Sequence, residues 1–101
     1  MSTDLIRAAV RNRTCLTAVY DSYVRYFCPC AMGRTAAGVP AVIAFQYEGG
    51  AKGGTVERGE WRLFLLHMLR DVRPNTDVWH CDPPPGSMLG QLQHVEVSAS
   101  A

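Results

Sequence analysis

Lysine is nearly missing from this chain: of ten basic residues nine are arginine, and Lys52 stands alone. A strong overall charge is missing too, since the net value is +1. That excludes a broad, sequence-independent grip on nucleic acid, which needs a markedly basic face. No run approaches the roughly 18 apolar residues of a membrane-spanning helix. Arg7, Arg11 and Arg13 interrupt the start, so the basic-then-apolar order of a secretory leader is lacking and the chain reads as cytoplasmic. Cysteine is sparse, with four residues, and in that setting these read as buried free thiols rather than a disulfide framework. His67, His80 and His94 fall in no nucleophile–histidine–acid pattern, and the glycine-rich stretch lacks the lysine–serine/threonine ending of a phosphate loop. A catalytic function and a bound cofactor are therefore not expected.

What is present is a foldable chain. At 101 residues, 48% of them hydrophobic, it has enough apolar surface for one modest core and too little for two. Its charge is uneven. Residues 1–34 hold five arginines against Asp4 and Asp21 (+3), and residues 35–101 hold five basic residues against seven acidic ones (−2). The arginine excess reflects either a plain coding bias or a use for forked contacts with carboxylate or phosphate.

Residues 3–13 predict an amphipathic helix with Thr3 or Asp4 as cap, a stripe of Leu5, Ile6, Ala9 and Val10, and Arg7 and Arg11 one turn apart. From Cys15 the period changes to two. Leu16, Ala18 and Tyr20 then share one face of a strand, and Asp21-Ser22 turns into a second strand, Tyr23 to Cys28. Pro29 is expected to end that strand, with loop from Gly33 to Gly38. Val39 to Tyr47, apolar on both faces, reads as a central strand with Pro40 tolerated at its start. Residues 48–59 hold five glycines and read as a flexible connector too long for a tight hairpin. A fourth strand runs from Trp61 to Leu66. A fifth lies near Met68–Val72 or near Val78-Trp79. Pro83-Pro84-Pro85-Gly86 breaks the chain, and Gln91 to Val97 forms a late strand or stays loose. One helix and about five short strands predict a mainly β domain, a small antiparallel barrel or a strongly bent sheet, with the helix over one open end.

In these elements the chain resembles a WYL-type domain. The likeness rests on the helix stripe Ile6, Ala9 and Val10, on Leu16 and Tyr20, on Arg25 and Pro29, on strand 39–47, and on Arg62 with Phe64. It covers roughly residues 5–72. The namesake tripeptide is absent, its neighbourhood reading Pro40-Ala41-Val42-Ile43. Leu65 stands where many relatives carry arginine, and His67-Met68 where they carry an acid–arginine pair. The resemblance implies a five-stranded Sm-like or SH3-like barrel spanning residues 1–80, with 81–101 as a Pro-containing extension. It also implies a bacterial regulatory sensor, of a divergent stand-alone branch, that binds small ligands or single-stranded nucleic acid and acts on a separate transcriptional or defence-related partner.

Five residues are the candidates for holding such a ligand. Arg25 and Arg62, on alternating strands that a barrel would bring close, form a clamp for phosphate or carboxylate if they converge; otherwise they are solvated arginines paired with Glu60 or Asp21. Tyr20 and Trp61 offer flat faces for a base, or ordinary packing. Gln46 reads a polar group or points to water. Cys28-Pro29-Cys30 with His80-Cys81 invites zinc, but the single-residue gap is tighter than zinc spacing and the two pairs are some fifty positions apart. A redox role for Cys28 and Cys30 would need a nearby cation, Arg25 or Arg34, to lower a thiol. The leading expectation is a non-enzymatic module for a nucleotide-like or anionic ligand. The alternative is a structural module that forms a homodimer or docks on a protein through its sheet edge.

Overall fold

The computed structural model describes residues 2–55, 58–80 and 82–99. Helix α1 (Ser2–Asn12) carries Asp4 in its first turn and Arg11 in its last, the charge order its dipole favours. Ile6, Ala9 and Val10 are buried. The helix ends as Arg13 turns left-handed (φ 53°) and the Thr14 N–H reaches back to Ala9 O at 3.0 Å.

Strands β1 (Leu16–Tyr20) and β2 (Tyr23–Arg34) form a hairpin with Tyr20 opposite Tyr23. Asp21 and Ser22 both take positive φ (54° and 69°), as a two-residue turn matched to strand twist requires. Strand β3 (Pro40–Ala51) lies on the other side of β2. Two-residue β4 (Gly54–Thr55) and strand β5 (Glu60–Leu65) both pair with β3. A 3-10 turn, Leu66–Met68, leads into β6 (Arg70–Pro74), which pairs with β1. A short helix α2 (Gly86–Leu89) precedes β7 (His94–Ser98), which lies against the far half of β2. The described residues thus form an antiparallel sheet of seven strands with one long N-terminal helix. Strands β5 and β6 end the path β5-β3-β2-β1-β6, and residues 66–69 link them.

Two sequence expectations are corrected and one open alternative is resolved. Pro29 does not end β2. Cys30 is an extra residue between the pairs Pro29↔Ala44 and Ala31↔Ile43, and the strand continues to Arg34. Proline is tolerated at such a bulge, and here it sits in the gap where the β1 pairing has stopped at Phe27 and the β7 pairing starts at Ala31. The glycine-rich stretch is not simply a connector. Glu48–Ala51 belong to β3, and Lys52-Gly53 make a tight turn into β4. Its glycines admit close neighbours: a Cβ on Gly49 (φ 104°) would lie 2.3 Å from Val24 O. Val56 and Glu57 of that stretch fall outside the described residues. Of the two places offered for the strand after β5, it forms at Arg70–Pro74 and not at Val78-Trp79.

Both faces of the central sheet are covered. On one, α1 packs over Leu16, Ala18, Phe27, Met32, Val42, Ala44 and Phe64. On the other, Leu92, Met88 and Leu89 of the C-terminal segment cover Ala31, Ala41 and Ile43. The segment read as an extension therefore supplies a strand and one lid of the core. Its last strand is bulged at Glu96, between Met32↔Val97 and Gly33↔Val95, and Glu96 pairs with Arg7 of α1. That hydrogen bond holds the Glu96 carboxyl below its ordinary range.

Candidate anion-binding face

Strand alternation decides which candidates meet. Ala18 faces Arg25 across β1–β2, and Phe27 faces Gln46 across β2–β3. Across β3–β5 the pairs are Val42↔Phe64, Ala44↔Arg62 and Gln46↔Glu60. Residues opposite one another share a sheet face. Tyr20, Arg25, Gln46 and Arg62 therefore project to the α1 side with Phe27 and Phe64. Trp61, one residue before Arg62, projects to the other side, where it packs at a tilt on Phe45 with centroids 5.3 Å apart. Four of the five predicted residues come together, and Trp61 does not join them.

Arg25 is buried, with 4% of its surface exposed, against the reading of a solvated arginine. Its Nε and Nη2 donate to Tyr20 O at 3.2 and 3.0 Å, and its Nη1 donates to Gln46 Oε1 at 3.1 Å. The rings of Tyr20, Tyr23 and Phe64 surround the guanidinium with centroids 5.5, 5.5 and 5.6 Å from Cζ. Gln46 does not point to water. It is fully buried, and its Nε2 donates to Glu48 O (3.2 Å) and Gly50 O (3.0 Å). These three contacts fix which end of the amide faces Arg25. Tyr20 packs on Phe64 with centroids 4.7 Å apart, and its hydroxyl accepts the Leu65 N–H at 3.2 Å, tying β1 to the end of β5.

The electrostatics of this face are unusual. No carboxylate forms an ion pair with Arg25 among the described residues. Its hydrogen bonds go to carbonyl oxygens and its faces to aromatic rings; burial lowers its pKa and the positive charge of Arg62 lowers it further, while Asp21, too far for an ion pair, acts the other way. The guanidinium remains a cation at neutral pH. Arg62 itself donates from Nη2 to Glu60 at 2.8 Å, as one of the expected pairings had it, while its Nε is buried with no hydrogen-bond partner among the described residues. Two guanidiniums thus lie close enough to repel one another, and one of them carries an orphan N–H. Tyr23 was missed at the sequence level, although it lies two residues before Arg25 and so on the same face.

The thiols lie on the opposite face. Cys15, Cys28 and Cys30 cluster there with Phe45, Tyr47, Trp61 and Trp79. Cys15 Sγ is 3.6 Å from Cys28 Sγ, and Cys30 Sγ donates to Cys28 O at 3.3 Å. The sheet separates Arg25 from them. Cys81, part of the zinc reading, falls outside the described residues. Among the described residues no three His, Cys, Asp or Glu side chains are placed to hold a metal. Tyr47 donates to Asp77 at 2.5 Å and accepts from Asn75, which also donates to Thr17 at 2.9 Å.

Burial pushes the Cys15 thiol from 9.0 up to about 12, with the neighbouring Cys28 adding to it, the opposite of an activated nucleophile. The folded chain therefore keeps this proton at pH values where the unfolded chain releases it. Stability from Cys15 is complete below pH 9 and falls by about 1.4 kcal/mol per pH unit as pH rises from there toward 12. Denaturant melts from pH 8 to pH 11 should show a steeper loss for the native chain than for Cys15→Ala. Parallel profiles would remove Cys15 from the alkaline instability.

Comparisons with models of known protein families, with curated proteins and with solved structures return no match. Among the described residues no helix is long and apolar enough to cross a membrane.

Proposed function

We propose that this chain is a non-enzymatic ligand-binding module whose α1-facing sheet surface takes an anionic, nucleotide-like ligand or a phosphate of single-stranded nucleic acid between Arg25 and Arg62. One observation carries the reading: Arg25 is buried without a carboxylate partner and beside a second arginine. A buried guanidinium of purely structural use is normally matched by an acid, because an uncompensated buried charge is costly. Tyr20 and Tyr23 present ring faces beside that charge and would border a base.

The WYL-type resemblance points to the same surface, since Tyr20, Arg25 and Arg62 are among the residues that carry it. The short link 66–69 between the outer strands β5 and β6 favours a bent, Sm-like or SH3-like form of the fold. On this reading the module works in the cytoplasm as a sensor, and ligand binding alters a separate transcriptional or defence-related protein.

Titration of a labelled single-stranded oligonucleotide tests the proposal. With two arginines engaging phosphate, affinity should fall about sevenfold between about 50 and 200 mM salt. A nucleoside monophosphate should compete. Failure to bind either probe, or binding indifferent to salt, would overturn the reading and favour the alternative of a protein-docking module.

A further inference from the structure

A cavity lies on the other side of the sheet. Set between the C-terminal segment and the sheet, it measures about 580 Å³, within the usual range of about 300–1,000 Å³ for small-molecule sites. Its walls are mostly apolar: Trp79, Pro83, Pro84 and Leu89 from the C-terminal segment, with Ala31 from β2. Two charged residues line it, Arg13 and Asp82, and they form no ion pair with one another.

Arg13 is an unexpected residue where it stands. It takes the left-handed conformation just past the end of α1 (φ 53°), the helix-ending position that glycine occupies at least cost. An arginine there brings a conformational penalty that the helix end does not need. Its side chain is held in place: Nε donates to Ala99 O at 2.9 Å. That leaves the guanidinium at the cavity lining with N–H donors to spare and no carboxylate partner among the described residues. One lining thus holds this cation together with an indole and two proline rings.

We infer that this cavity binds a flat aromatic or other rigid apolar molecule bearing one carboxylate, with the ring against Trp79, Pro83 and Pro84 and the carboxylate on Arg13. Asp82 in the same lining disfavours a second acidic group on the ligand. The site is separate from the Arg25–Arg62 face and does not depend on its function.

The test uses the full chain with isotope-labelled indoles, Trp79 being assigned with Trp79→Phe. Naphthoate is the anionic probe and naphthylmethanol its neutral counterpart. Naphthoate should shift the Trp79 indole signal saturably and bind about tenfold more tightly than the alcohol, as one charge-assisted contact implies. Arg13→Gly supplies the residue the helix end favours, so its melting temperature should be no lower than native, yet its naphthoate affinity should fall to that of the alcohol. Arg62→Gln should leave the naphthoate titration unchanged. The inference is overturned if neither probe binds, if both bind equally, if Arg13→Gly keeps native affinity, or if Arg62→Gln abolishes the shift.

Discussion

Gly33→Ala is expected to lower the unfolding free energy by about 3 kcal/mol or more, by driving β7 off the sheet. A Cβ at position 33 would sit 1.9 Å from His94 O and 3.0 Å from Val95 Cα. Those are backbone atoms of the paired strand, so no side chain can swing aside to make room. Once β7 separates, the Arg7–Glu96 pair is broken and Val97 and Ala99 leave the core that α1 covers. Gly53→Ala is the matched control. A Cβ there meets nothing within 4 Å, so the change should stay within about 0.5 kcal/mol. Denaturant unfolding of both variants, with hydrogen exchange at the Ala99 amide that donates to Cys30 O, checks the account. A Gly33→Ala chain within about 1 kcal/mol of native and with that amide still protected would show that β7 is not held as described.

The second large effect separates Arg25→Met from Arg25→Ala. Methionine fills most of the volume and removes a buried charge that forms no ion pair. Replacing buried ions by apolar groups of similar size is often neutral or stabilising by about 1–4 kcal/mol. Against that gain stand Tyr20 O and Gln46 Oε1, each losing its Arg25 donor at about 1–3 kcal/mol for an acceptor left wholly unsatisfied. The terms nearly cancel, so Arg25→Met should lie within about 2 kcal/mol of native. Alanine loses the same hydrogen bonds and leaves a cavity beneath Phe64, and should be about 2–3 kcal/mol less stable than methionine. Equal stabilities for the two variants would mean that the site collapses freely and that the ring cage does not depend on the guanidinium.

Local features of this fold were legible in the sequence because local physics specifies them. The helix stripe of Ile6, Ala9 and Val10, the Asp21-Ser22 turn and the alternation of Leu16, Ala18 and Tyr20 all follow from nearest-neighbour rules. Errors arose where a distant strand decides. Pro29 reads as a stop until a bulge and a change of partner strand make room for it. The glycines at 49 and 50 read as a connector, because loosely held and closely approached backbone call for the same residue. In the site, Arg25 was identified but its burial was not, since one strand does not reveal that Gln46 and three rings will enclose it. Trp61 was misgrouped although the signal was at hand: adjacent residues of a strand face opposite ways, so Trp61 and Arg62 cannot line one surface.

The most direct measurement is a paired titration of a labelled single-stranded oligonucleotide, native chain against Arg25→Met, with folding verified by the unfolding curves above. A guanidinium held buried for an anion predicts that the methionine variant stays folded while its affinity drops at least about tenfold and its salt dependence weakens by about one phosphate contact. A folded Arg25→Met chain that binds with native affinity and native salt dependence would contradict the account.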